Sequence, residues 1–162
     1  RRRPTQPVTT ARAASPAKKH PSLLPPKTLP VAMDFLNKKF KMVSSENFDE
    51  YMKALGVGLV TRKMGNAVTP TVEVTEKDGV FTIKTTSTFK NSEINFKLGE
   101  EFDEETVDGR KVKSVVTKDG NKLIHLQKGE KETTIIREFS GDEMKAILKV
   151  DDIVCTRVYK SE

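Results

Sequence analysis

The 162-residue sequence predicts an all-β fold: a ten-stranded antiparallel up-and-down β-barrel, clam-like in outline, capped by a helix-turn-helix. Three observations carry that expectation. Turn signals recur at Leu98-Gly99, Asp108-Gly109, Asp119-Gly120, Lys128-Gly129, Ser140-Gly141 and Asp151-Asp152, spaced 10, 11, 9, 12 and 11 residues apart, which is hairpin spacing. The segments between them alternate in polarity. A single helical pattern interrupts the series after its first strand. Ten short strands in one meander would leave long exposed edges unless the sheet closes, so a barrel is the economical arrangement.

The elements follow in chain order. Residues 35–43 read as the first strand, with Phe40 and Met42 alternating against Lys39 and Lys41. Asn47-Phe48-Asp49-Glu50 then offers an N-cap followed by a Glu at the third helical position, and Phe48, Tyr51, Met52 and Leu55 fall at i, i+3, i+4 and i+7. Gly56 and Gly58 end this helix. A second short helix is expected over 59–66, where Val60, Met64 and Ala67 share a face and Gly65-Asn66 supplies a stop. With turns also at Asp78-Gly79 and near 87–90, nine further strands are expected at 70–76, 80–86, 89–97, 100–106, 110–118, 121–128, 131–139, 143–150 and 152–160.

The first 32 residues stand apart as a disordered, basic, Pro-rich extension to a domain at 33–162. They contain seven of the eight prolines, seven basic residues and no acidic ones, so the remainder carries 22 basic residues against 23 acidic and is near neutral. A proline-dense stretch with little apolar periodicity buries too little surface to offset its ordering entropy. Its arginines have the composition of a mitochondrial transit peptide, but the prolines forbid the amphipathic helix such peptides need. An upstream extension of the reading frame before Met33 is the plainer reading. A basic arm for nucleic acid or a membrane surface is the third; the charges lack interleaved aromatic rings, and no nucleic acid is expected as partner.

Composition narrows the classes further. No run of about 18 apolar residues exists to span a bilayer, and residues 22–29 lack the apolar core of a secretory signal. The lone Cys155 cannot form an internal disulfide, and with only His20 and His125 no metal site or other cofactor is expected. A thiol-reducing compartment fits, cytoplasmic first and nuclear second. Apolar residues make up 35% of the chain, below the roughly 45–50% of ordinary globular chains even after adding glycine. Either the core is small or the interior is partly polar.

Strand faces locate the candidate chemistry. In 152–160, Ile153, Cys155, Arg157 and Tyr159 share one face; in 131–139, Thr133, Ile135, Arg137 and Phe139 do. If these faces point inward, two guanidinium groups enter an apolar chamber and require an anion, for which their planar fork suits a carboxylate. Alternation alone leaves the opposite arrangement open, with both arginines outside and paired to carboxylates such as Glu138 or Glu93.

Segments 38–55, 56–74, 86–117 and 155–160 closely resemble the cytosolic fatty-acid-binding proteins, within the intracellular lipid-binding family that includes the retinoid carriers. Phe40, then Asn47-Phe48-Asp49 with Tyr51-Met52, match the family's N-terminal signature, and invertebrate muscle-type members look nearest. The signature aromatic, commonly Trp, is Phe40 here, a change expected to matter little. The resemblance implies a ten-stranded barrel that carries a long-chain fatty acid and is not an enzyme. It implies that Arg157 and Tyr159, as the R-x-Y pair, hold the ligand carboxylate, with Arg137 as the second interior arginine. It implies Phe89 as the portal phenylalanine and Phe48, with Tyr51 and Met52 beside it on the first helix, at the cavity.

Retinoic acid is the alternative ligand within the family. An enzyme built on Cys155 and His125 is the rival of another class, disfavoured because no nucleophile-turn motif surrounds the thiol. The chain is expected to act as a monomer. Lys53, Arg62 and Lys63, on or near the helices, are candidates for transient contact with anionic membranes, against the plainer reading of a solvated helix face.

Overall fold

A computed structural model describes residues 34–162. The expectations for the extension 1–32 lie outside the described residues. Ten strands are present: β1 (Lys39–Glu46), β2 (Thr71–Lys77), β3 (Val80–Thr86), β4 (Ser92–Lys97), β5 (Phe102–Glu105), β6 (Lys111–Asp119), β7 (Lys122–Lys128), β8 (Thr133–Ser140), β9 (Glu143–Val150) and β10 (Ile153–Ser161). Two helices, α1 (Phe48–Ala54) and α2 (Leu59–Ala67), separate β1 from β2. Every ladder is antiparallel, and the strand order β4-β3-β2-β1-β10-β9-β8-β7-β6-β5 joins chain neighbours except where β1 meets β10. That pairing rolls the meander into a nearly closed barrel.

The order leaves β4 and β5 unpaired, so one seam has no backbone ladder. Aromatic rings fill it. Phe81 on β3 stacks on Phe96 of β4 at 5.8 Å, and Phe96 stacks on Phe102 of β5 at 5.5 Å. Each such pair contributes about 0.5–1.5 kcal/mol beyond its buried area.

The first strand begins and ends later than its alternation suggests, for two physical reasons. Phe35 and Phe40 differ in parity, so one continuous strand would send them to opposite faces. The chain instead turns at Asn37, which takes φ 65°, and both rings reach Phe139, at 4.1 and 5.6 Å. Between Met42 and Ser44 the register with β10 then shifts at a bulge, which leaves Val43 exposed and sets Ser45 opposite Arg157. Pattern reading loses the strand at that point, although it continues to Glu46. β4 starts three residues later than the expected 89, because Ser87 Oγ accepts from the amides of Phe89 (3.2 Å) and Lys90 (3.0 Å) and holds a turn there. β5 is likewise shorter than 100–106.

The helices depart from expectation in three details. Asn47 does not cap α1 with its side chain; it adopts φ 68°, a left-handed conformation that Asn tolerates, and its Nδ2 donates to the Val154 carbonyl at 3.0 Å. Gly65 does not stop α2, which continues to Ala67; it lies against α1, where a Cβ would sit 3.1 Å from Met52 Sδ. The shared face of Val60, Met64 and Ala67 points to solvent rather than to α1, with Val60 72% exposed. Thr61 and Gly65 of α2, with Val68 just past its end, border the cavity. Helix-period patterning groups Val60, Met64 and Ala67 on one face, and that face lies outward because α2 borders the cavity and has little core beneath it.

Gly65→Val should force the hairpin apart. We expect a loss of about 1–3 kcal/mol in denaturant unfolding, with faster amide exchange across α2.

Candidate functional site

The burial of β10 settles which face points inward. Cys155, Arg157 and Tyr159 are buried, whereas Thr156 and Val158 between them are half-buried and Val154 and Lys160 on either side are exposed. The barrel encloses a cavity in which about 220 Å³ is open to the centre of a water molecule. Arg157, Tyr159 and Arg137 all border it, from β10 and β8. So do Phe48, Tyr51 and Met52 of α1 and Phe89 of the β3–β4 turn. The seven residues singled out from the sequence therefore meet around one space, and Glu138 and Glu93 are not the partners of the two arginines.

Arg157 is 7% exposed. Its Nε donates to Ser45 Oγ at 3.0 Å, and its guanidinium carbon lies 3.7 Å from the centroid of the Phe48 ring. Phe48 is itself stacked on Tyr51 at 6.2 Å. Among the described residues no carboxylate is within ion-pair distance of Arg157. A hydroxyl and a ring face stabilise the cation in part but supply no negative charge. Beside it, burial pushes the Tyr159 hydroxyl up against the pull of Arg157 and Arg137, so it stays protonated and can donate.

Arg137 has a different environment, built from residues the sequence reading did not bring to the site. Its Nη1 donates to His125 Nδ1 at 3.3 Å, and His125 Nε2 lies 2.8 Å from Glu104 Oε1. Glu104 also accepts from Ser114 Oγ at 2.7 Å and from Gln127 Nε2 at 3.1 Å, while Thr133 Oγ1 donates to Gln127 Oε1 at 2.6 Å. The strands explain why these groups meet. His125 stands opposite Ile135, one same-face step from Arg137, and Ser114 stands opposite both Phe102 and Gln127. Burial would raise the Glu104 carboxyl, but the hydrogen bonds from His125, Ser114 and Gln127 outweigh it and hold the group below its usual range. Burial lowers His125, assisted by Arg137 and opposed by Glu104. At neutral pH the ring is uncharged and Glu104 is ionised.

Nearer the helices, Arg110 Nε donates to Asp108 Oδ2 at 2.8 Å, and Thr106 Oγ1 donates to Asp108 Oδ1 at 2.7 Å. Arg110 Nη1 is buried without a protein acceptor, beside the same cavity. Both nitrogens of His125 are engaged, and burial pushes the Cys155 thiol up to about 11, away from the reactive thiolate.

Comparison with known proteins gives a consistent result. Residues 38–162 match the profile of the lipocalin / cytosolic fatty-acid binding protein family. The chain is similar to the muscle fatty acid-binding protein of Schistocerca gregaria, with 52% identity over 131 residues, covering 80% of this chain and 98% of that protein. Among solved structures it is similar to the fatty acid-binding protein from brain tissue of Drosophila melanogaster, with 63% identity and a TM-score of 0.76, covering 78% of this chain and 98% of that one. It is also similar to the Schistosoma mansoni fatty acid binding protein in complex with arachidonic acid, with 48% identity and a TM-score of 0.76, covering 79% and 96%.

The polar interior predicts a definite acid response. Both His125 and Glu104 hold their protons less tightly than their ordinary values of 6.5 and 4.5, so the unfolded chain binds more protons as pH falls through these values. Stability should be full above about pH 7, decline first through the histidine range and then through the carboxylate range. Thermal melts from neutral to acid pH measure this, and Glu104→Gln should flatten the second stage.

Proposed function

Because the chain belongs to the lipocalin / cytosolic fatty-acid binding protein family, we propose that it is an intracellular carrier that reversibly holds a long-chain fatty acid inside its barrel. In this reading the carboxylate rests against Arg157 and Tyr159, Arg137 supports it, and the tail runs toward Phe89 and the helices. The observation that carries it is Arg157, a buried guanidinium facing the cavity with no carboxylate partner among the described residues. Leaving such a charge unmatched costs several kcal/mol, and a ligand carboxylate removes that cost.

Affinity and selectivity come from different parts of the ligand. Each methylene taken from water contributes about 0.8 kcal/mol, so a palmitoyl tail supplies a gross term of about 12 kcal/mol. Immobilisation, displaced water and carboxylate desolvation are subtracted from it. The arginine and tyrosine orient the ligand and discriminate against esters and alcohols, whose neutral ends leave the guanidinium unanswered. The complex of the Schistosoma mansoni relative with arachidonic acid supports a fatty acid over retinoic acid. Competition between a fluorescent fatty acid and all-trans retinoic acid tests that preference. A cytoplasmic setting suits the unpaired, buried Cys155.

Contact with membranes is assigned to the outer side of the hairpin. Leu59, Val60 and Met64 are exposed apolar residues, flanked by exposed Lys53 and Lys63. Arg62 is otherwise occupied: its Nε binds Asp49 Oδ1 at 3.1 Å and its Nη1 donates to the Val57 carbonyl at 2.8 Å. It secures the hairpin.

Arg157→Ala should weaken palmitate binding by about tenfold to a hundredfold while hexadecanol loses far less, as titration calorimetry would show. Equal losses for both would refute a carboxylate clamp. Joint replacement of Lys53 and Lys63 by Ala should slow transfer from anionic vesicles severalfold without altering equilibrium affinity; unchanged transfer would count against membrane docking by this face.

A further inference from the structure

The interior contains one more positive charge than negative. The charged side chains bordering the cavity are Lys90, Glu104, Asp108, Arg110, Arg137 and Arg157. Lys90 is exposed at the mouth, where its Nζ donates to the Val107 carbonyl, and Arg110 is paired with Asp108. That leaves Glu104 from β5, Arg137 from β8 and Arg157 from β10. The titratable groups packed around them are His125 from β7, Tyr159 and Cys155 from β10, and Tyr51 from α1. Burial holds both tyrosines and the thiol above their ordinary values, so all three are neutral at pH 7. The strands β2, β3, β4, β6 and β9 contribute no charged group to the cavity lining.

Hydrogen-bond direction shows which arginine Glu104 serves. A guanidinium only donates, so His125 Nδ1 must accept from Arg137, which places the ring proton on Nε2, directed at Glu104. The neutral imidazole thus links the Arg137 cation to the Glu104 anion. Ser114 and Gln127 fix the carboxylate in that position. Arg137 is matched before any ligand arrives, and Arg110 keeps one donor, Nη1, without an acceptor but has its charge answered by Asp108; among the described residues Arg157 alone has no carboxylate to answer it.

We propose that Glu104, acting through His125 on Arg137, sets the cavity to accept amphiphiles whose headgroup carries a single negative charge, and so excludes dianionic lipids such as alkyl phosphates. The inference rests on the carrier reading and names its headgroup class. A second negative charge on the ligand would find, among the described residues inside the barrel, no further cation that lacks a carboxylate, and would face Glu104 across a poorly screened space. A phosphate monoester could bind only after taking up a proton. Glu104 touches no ligand in this account; it is a positioning residue that determines specificity by its charge.

The test compares palmitate with hexadecyl phosphate by calorimetry in buffers of differing ionisation enthalpy, from about pH 5.5 to about pH 8, across the second phosphate ionisation near 6. For the wild-type chain, palmitate should bind at pH 8 without proton uptake, and hexadecyl phosphate should bind with uptake of about one proton. The phosphate-to-palmitate affinity ratio should fall about tenfold per pH unit above that ionisation. In Glu104→Gln, which leaves both arginines unmatched, proton uptake should disappear at pH 8 and the ratio should rise at least tenfold. Wild-type binding of hexadecyl phosphate at pH 8 without proton uptake would overturn the proposal. So would a ratio unmoved in Glu104→Gln, because a merely structural Glu104 would weaken both ligands alike. If that variant does not fold, the wild-type proton count decides alone. Absence of palmitate binding to the wild-type chain would instead overturn the carrier reading itself.

Discussion

Two guanidinium groups inside a barrel of ten strands constrain everything else in this chain. Taking such a group out of water costs several kcal/mol, and attraction repays it only with well-placed partners. The fold answers the two arginines differently. Arg137 receives a chain of hydrogen bonds that ends on a carboxylate, and five polar side chains from four strands are committed to it. Arg157 receives a hydroxyl and an aromatic face. The first arrangement is a finished structural unit. The second leaves its charge without a carboxylate among the described residues, and on that asymmetry rests the proposal that the interior receives an anion.

The architecture follows from this need for interior space. A barrel of this size could fill itself with side chains, but then no ligand would fit. Here the far end is filled by Phe35, Phe40 and Phe139, and the unpaired seam by Phe81, Phe96 and Phe102. The hollow runs from the helices inward to Arg137, Met144 and Tyr159. That placement explains why α2 buries no side chain fully and turns Val60 and Met64 outward: its inner surface borders the cavity, and its stability depends on α1, Gly65 and the Arg62–Asp49 pair. A lid held by a few local contacts can open at low cost.

Most of the architecture was legible because turn chemistry and period-two alternation are local signals. The number of strands emerges from turn signals and parity, and the interruption after the first from a helical period. The misread elements are those where a long-range contact overrides the local pattern. The Asn37 turn serves a ring stack with Phe139, over a hundred residues away, and the bulge in β1 serves Ser45 and Arg157. The site divides in the same way. Arg157 and Tyr159 are two apart on one strand, so their common face can be read, though not its direction. Glu104 and His125 lie on β5 and β7, and no local pattern joins them. They become visible only by carrying the hairpin registers from β8 through β7 and β6 to β5, after which the single His and Glu on inward faces fall beside Arg137.

The charge of the whole chain misdirects where that of the interior informs. A formal +6 suggests an acidic partner at the surface, yet the excess belongs to residues 1–32, and the remainder is slightly negative. In the proposed reading, what governs binding is a local imbalance of one unit inside a slightly acidic body. A diffuse surface charge is screened within about 10 Å at ordinary salt. One cation enclosed by a barrel wall is not screened in that way, and a ligand answers it in full or not at all. On the proposed reading, a cavity whose apolar lining by itself would accept any chain of suitable length still distinguishes a fatty acid from its alcohol.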